Sequence, residues 1–135
     1  MFAVVVAGIA IGFATIGSPQ HMRAIELDHR RVSDLQSIER MVHRADARRP
    51  SQTATAPPTS GHDWPRDPEN GEQYGYARLS PTQYVLCATF ALPADADGAT
   101  LDTAWPHRAG RTCFRLNATL ENDRHEIILP TDTIL

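Results

Sequence analysis

Hydrophobic and polar positions divide the chain into stretches of very different character. Phe2 to Gly17 carry no charge and a single polar side chain, Thr15. Such a run is at home in lipid. As a helix rising about 1.5 Å per residue it reaches roughly 24 Å, a little under the ~30 Å hydrocarbon core. A cleaved signal peptide fits poorly, because no Lys or Arg precedes the run and Ala14-Thr15-Ile16-Gly17 is a poor small-x-small cleavage site. A buried core helix would suit the length, but every face is apolar and the rest of the chain offers little to surround it. The expectation is an uncleaved single-pass transmembrane anchor over residues 1–17, with Phe2, Val4, Val6, Ile9, Ile11, Phe13 and Ile16 in the bilayer.

Periodicity changes at Ser18-Pro19, where Ser at an N-cap and Pro at the first helical position signal a new helix start. Met22, Ile25, Val32, Leu35, Ile38 and Val42 then recur at helical spacing. This predicts one amphipathic helix over 18–48. Glu26, Arg30, Arg31, Asp34, Glu39 and Arg40 fall mostly off that stripe and read as a solvated face with weak intrahelical pairs. From Pro50 to Gly61 periodicity and large apolar residues disappear, so 49–63 reads as a linker or long surface loop.

Beyond the linker the period becomes that of a sheet. Trp64-Pro65-Arg66-Asp67-Pro68-Glu69-Asn70-Gly71 holds two prolines and an Asn-Gly step, which predicts a compact turn. Strand patterns follow at Gln73 to Leu79, at Gln83 to Leu92 after a Ser80-Pro81-Thr82 turn, and at Arg111 to Leu116. Within 64–116 they predict a small three-stranded antiparallel sheet packing with the helix. Placing Cys87 opposite Cys113 sets Leu86 against Phe114 and Tyr84 against Leu116, so the apolar pairs share one face. The cysteines then share the other face with Val85 and Arg115, near enough to bridge in a non-hydrogen-bonded pair. The fold class is α+β: a transmembrane helix, an amphipathic helix, the small sheet and an extended C-terminal tail over 117–135. In that tail Ile127, Ile128, Leu129, Ile134 and Leu135 are too apolar to leave in water. Because Pro130 limits regular pairing with the chain's own sheet, they are expected to dock on a partner.

Composition narrows the classes. At 135 residues there is room for one small domain. The net charge is -3 and all 13 basic residues are Arg, without a basic stripe interleaved with aromatics, so nucleic-acid binding has little support. Two cysteines fit one disulfide in an oxidising compartment, and two buried thiols in the cytosol would give the same count. Orientation divides the same way. Arg23, Arg30 and Arg31 behind the apolar run favour a cytoplasmic domain, whereas a Cys87–Cys113 bridge favours a periplasmic one. The cysteine argument is followed here.

Asp34-Leu35-Gln36-Ser37-Ile38, DPENGEQYGY (Asp67 to Tyr76), YVLCATF (Tyr84 to Phe90) and WPHRAGRTCF (Trp105 to Phe114) together resemble an uncharacterised family of bacterial membrane-anchored proteins. Its markers are Cys-Ala-Thr-Phe and a later Trp-x-His-x-x-Gly-Arg-x-Cys-Phe. The likeness spans about Ser18 to Leu116 and implies a helix leading into a Pro-rich turn and a small sheet, with an address in the bacterial inner membrane. The Asp-Pro-x-x-Gly-x-x-Tyr-x-Tyr segment is also similar to the turn and first strand of type II secretion pseudopilins. Those carry a Glu five residues into a long apolar helix after a processed Gly-Phe, whereas Gly12-Phe13 is followed here by Ala14-Thr15-Ile16-Gly17.

Catalytic chemistry finds no foothold in the pattern. The six histidines are scattered; His29 and His43 belong to the helix as partly exposed surface residues. His107, Cys87 and His125 could supply metal ligands, but no close Cys-x-x-Cys type of pair accompanies them, and His107 reads as a hydrogen-bonded loop residue. Asp67, Glu69 and Asn70 could hold calcium, though in a Pro-Gly loop such residues more often cap the turn. No phosphate loop or dinucleotide fingerprint occurs, so catalytic, metal, cofactor and small-molecule sites are all read as none. The expected role is a non-catalytic accessory subunit whose partners are other membrane-complex subunits and the lipid bilayer. A pseudopilin-like component and a redox-responsive extracytoplasmic domain using the cysteine pair are the alternatives.

Overall fold

The computed structural model describes residues 18–48, 64–96 and 105–118, and the backbone of 126–128. The anchor positions Phe2, Val4, Val6, Ile9, Ile11, Phe13 and Ile16, the linker, and Leu129, Ile134 and Leu135 lie outside them. Among the described residues no helix is long and apolar enough to cross a membrane.

Helix α1 spans Pro19–Arg48. It opens as its sequence dictates: the His21 amide donates to the Ser18 carbonyl at 3.0 Å and to Ser18 Oγ at 3.3 Å, while Pro19 stands where no donor is needed. The buried positions of α1 are Asp28, Arg31, Leu35, Ile38 and Val42. This three-four spacing is one continuous stripe whose first two members are charged. The expected stripe therefore holds at its centre and fails at its start, since Met22 is 55% exposed.

Four strands form one antiparallel sheet in sequential order: β1 (Gly75–Arg78), β2 (Gln83–Phe90), β3 (Gly110–Asn117) and β4 (Glu126–Ile128). The Ser80-Pro81-Thr82 turn between β1 and β2 is closed by the Leu79 and Ser80 amides on the Gln83 carbonyl, and Ser80 Oγ accepts from the Thr82 and Gln83 amides. The β2–β3 register is the expected one, with Tyr84 opposite Leu116, Leu86 opposite Phe114 and Cys87 opposite Cys113. The two cysteines form a disulfide across a Cα–Cα distance of 4.1 Å, the short spacing of a non-hydrogen-bonded pair.

One face of the sheet carries Tyr84, Leu86, Ala88 and Phe90 from β2 with Phe114 and Leu116 from β3, and these join Leu35, Ile38 and Val42 of α1 in the core. Trp105 closes it at one end, with its ring edge-on to Phe114 at 4.9 Å and 1% of its surface exposed. Each large side chain fully buried there contributes about 1.5–3 kcal/mol of transfer free energy. The opposite face alternates out of phase: Gly75 and Ala77, Val85 and Cys87, Arg111, Cys113 and Arg115.

β4 departs from expectation. Residues 126–128 pair with β3, Ile128 opposite Cys113 and Ile127 opposite Phe114, so this part of the tail belongs to the protein's own sheet and not to a free docking segment. Pro130 does not prevent it, because the three-residue strand ends at Ile128, two positions before the proline.

Gly75 faces Cys87 across the β1–β2 pair. A Cβ there would stand 3.0 Å from Cys87 Cβ and 3.3 Å from Arg111 Nη2, a space already filled. Gly75→Ala should therefore lower stability by about 1–3 kcal/mol through overpacking, read as a lower urea midpoint at unchanged slope. The disulfide separates its cysteines by 26 residues, and its loss should cost on the order of 3 kcal/mol. Replacing both cysteines by Ser and comparing urea midpoints checks this value.

Candidate functional site

The densest polar arrangement in the described residues lies where α1 meets the turn before β1. Asp67 opens that turn. Its carboxylate accepts the Glu69 amide at 2.9 Å and the Asn70 amide at 3.4 Å, and its carbonyl accepts the Gly71 amide at 2.8 Å. Gly71 takes φ +73°, which an unbranched backbone adopts without the Cβ penalty. Capping is thus what the Asp-Pro-Glu-Asn-Gly segment does, and the positive charge that its carboxylates receive is a guanidinium. Arg31 Nε donates to Asp67 Oδ2 at 2.7 Å and Nη2 to Oδ1 at 3.1 Å, a bidentate fork.

Arg31 has further acceptors. Nη2 meets Glu69 Oε2 at 2.6 Å, and Nη1 meets Asp28 Oδ1 at 2.9 Å one turn earlier on α1. Asp28 also takes the Ala91 and Leu92 amides, at 2.9 and 2.8 Å, just past the end of β2. One buried cation thereby joins the helix, the turn and the end of a strand. Exposure ranks the contacts: the Arg31, Asp28 and Asp67 side chains are 4%, 5% and 10% exposed, whereas Glu69 is 61% exposed and its pair is worth under about 1 kcal/mol.

Two more polar bonds continue along α1. The Tyr74 hydroxyl donates to Asp34 Oδ2 at 2.7 Å, and Arg78 Nη1 reaches Asp46 Oδ2 at 2.9 Å while its Nε donates to the Ser80 carbonyl. Asp28, Asp34 and Asp46 thus all turn toward the domain. The reading of Arg31 and Asp34 as part of a solvated face is corrected here, because burial next to a turn rich in acceptors outweighs the cost of removing them from water. A hint was present in the sequence: Asp28 and Arg31 stand seven and four residues before Leu35, on the line of the core stripe.

The electrostatics follow. Burial works against charge on Asp67, yet hydrogen bonds from Arg31 and from the Glu69 and Asn70 amides outweigh it and hold this carboxyl below the usual range. The Asp67 bond, against the cost of burial, holds Arg31 more firmly protonated than a free arginine. Burial first, and then Asp34, pushes the Tyr74 hydroxyl above its ordinary range.

A shallow cleft of about 210 Å³ lies beside this network, bordered by Asp67, Glu69, Tyr74, Gly75, Cys87, Thr89 and Arg111 among others. Both cysteines are committed to the bridge, so neither is a thiolate ligand or a nucleophile in this state. His107 is the hydrogen-bonded loop residue that was expected: Nδ1 lies 2.9 Å from the Trp105 carbonyl and its ring stacks on Phe90 at 3.8 Å. His43 sits on α1, 3.9 Å from Glu39. Ile127 and Ile128 are brought into β4, while His125 lies outside the described residues. Comparison of the chain with family models, with curated proteins and with solved structures finds no match.

Two outcomes test the charge network. Arg31→Met removes the cation and leaves Asp28 and Asp67 buried, and should cost about 3–5 kcal/mol by urea denaturation, whereas Arg30→Met on the exposed side should stay within about 0.5 kcal/mol. The pH dependence follows from Asp67. Its folded pKa is depressed, so its contribution is complete above the unfolded carboxylate value near pH 4 and is lost as pH falls through the lower folded value. Stability should drop over that acid window, and Asp67→Asn should flatten the drop.

Proposed function

We propose that this protein is a non-catalytic membrane-tethered docking subunit, in which α1 carries a small disulfide-bonded domain away from an apolar anchor at residues 2–17. The observation that carries this reading is the distribution of burial along α1. Buried positions begin at Asp28, and the nine helical residues before it, about 13 Å of helix, are half-buried or exposed. Asp28, Arg31, Asp34 and Asp46 of α1 and Arg78 of β1 are engaged in holding the helix to the turn and the sheet. The bridged cysteines favour a domain on the periplasmic side of the bacterial inner membrane. The partners on this reading are the bilayer and other membrane-complex subunits, met by Leu129, Ile134 and Leu135 beyond β4.

A second reading is favoured by one observation, the packing of a long N-terminal helix on an antiparallel sheet through an Asp-Pro-Glu-Asn-Gly turn. It is a pseudopilin-like component that assembles with copies of itself or its relatives. Cross-linking in membranes separates the two readings: a ladder of homo-oligomers supports the second, and discrete adducts with unrelated subunits support the first.

Alkaline carbonate extraction should leave the full chain in the membrane pellet, and removal of residues 2–17 should release a folded domain. Recovery of the full chain in the supernatant, or a mature N-terminus near Ser18, would reject the anchor. Because 126–128 form β4, the clean test of the tail is deletion of 130–135. Circular dichroism should be unchanged and copurification from gentle detergent should fall; undiminished copurification would remove the tail from the docking surface.

A further inference from the structure

We infer that the disulfide is a directional thiol-exchange site: an external thiolate enters by the cleft and attacks Cys87 Sγ, and Cys113 leaves as the thiolate. Three features of the disulfide face carry this. First, Cys87 borders the cleft, and the residue opposite it across the β1–β2 pair is Gly75, which has no side chain to cover the sulfur. Second, a cation guards the approach. The point above Gly75 where a Cβ would stand lies 3.3 Å from Arg111 Nη2 and 3.6 Å from Cys87 Sγ, so the guanidinium adjoins the path to that sulfur and attracts an anionic nucleophile. Third, the strand geometry treats the two cysteines unequally. Side chains at alternate positions share a face, so Cys113 stands between Arg111 and Arg115 on β3, whereas its bridge partner on β2 stands between Val85 and Thr89. Cys87 borders the cleft and Cys113 is not among its lining residues, so a thiolate entering there meets Cys87 Sγ and Cys113 is the sulfur that leaves.

The exchange balances without any other reagent than the thiol. The incoming thiolate forms a bond to Cys87 Sγ, the Cys87–Cys113 bond breaks, and its electron pair departs with Cys113. With a monothiol the product is a mixed disulfide on Cys87. With a dithiol, the second thiolate then attacks the reductant's own sulfur in that mixed disulfide and releases Cys87, leaving the dithiol oxidised and the protein reduced by two electrons. The acidic rim, Glu69 and Glu72, disfavours strongly anionic reductants, so the natural partner class is a protein dithiol of low net charge.

The test uses the full-length oxidised protein and glutathione as the monothiol probe, with iodoacetamide added to trap freed thiols and mass spectrometry to map both modifications. Glutathione should be found on Cys87 and carbamidomethyl on Cys113, favoured at least about threefold over the reverse pattern. An even distribution, or glutathione mainly on Cys113, would overturn the assignment. Arg111→Gln should slow the reaction several-fold and Arg111→Lys, which keeps the charge, should not; the glutathione distribution in the unaltered protein keeps the test valid if a variant folds poorly. Equal slowing by both variants, or a rate measurable only at urea concentrations that unfold the domain, would equally reject it. Neither the anchor nor the docking reading enters these measurements.

Discussion

A guanidinium removed from water must find its hydrogen-bond acceptors inside the protein, and at Arg31 that requirement organises everything nearby. The desolvation penalty for such an ion amounts to several kcal/mol, so α1 can pack on the sheet only where Asp67 and Asp28 receive it. Asp67 is in position because the Pro68 to Gly71 segment turns tightly and aims two amides at the same carboxylate. Asp28 is in position because its two oxygens also hold the Ala91 and Leu92 amides. Sliding α1 by one turn would leave a cation and two carboxylates buried and mismatched. The network therefore contributes register and orientation more than it contributes net stability.

Leu35, Ile38 and Val42 would pack on any apolar sheet face of suitable width, since hydrophobic contact has no direction of its own. The polar bonds at Asp34 and Asp46 remove that freedom. They lie twelve residues apart on the helix and meet Tyr74 and Arg78, four residues apart at and beside β1, so helix and strand run in the same direction. On the far side of the sheet the solution is different. Small residues, the disulfide and three or four long side chains replace a second hydrophobic layer, and a domain of this size gains from a covalent staple where it lacks a second core. Gly75 belongs to that solution, since the staple and Arg111 occupy the space a side chain would need.

This division of labour bears on function. α1 enters the core through the Arg31 network, so a displacement of the helix is transmitted to the turn at 67–71 and to the end of β2. The turn at 67–71 is held against the helix, and Glu69 and the neighbouring Glu72 are exposed. Among the described residues, the cleft lies on the disulfide side, beside Arg111. The arginines and cleft of that side offer chemistry that the helix face, sealed by Trp105 and Phe114, does not.

Much of this was legible in the order of residues because it depends on local periodicity and chirality. Ser18-Pro19 starts a helix wherever it is followed by helical spacing, the Ser80-Pro81-Thr82 turn closes a hairpin by its own hydrogen bonds, and alternation in Tyr84 to Phe90 and Arg111 to Leu116 puts Tyr84, Leu86 and Phe114 on one face. Placing Cys87 opposite Cys113 then sets the register. What tertiary structure alone decided is the fate of groups whose partners are distant in sequence. Arg31 is 36 residues from Asp67 and Asp28 is 63 from the Ala91 amide, and although both lie on the line of the core stripe, nothing local supplies the partners that set them apart from the solvated charges at Arg30 and Glu26. The same holds for β4, whose three residues find an edge of the sheet that no feature of 126–128 announces. Burial of a charge and pairing of a short strand are settled by what arrives on the other side, and that is a property of the assembled fold.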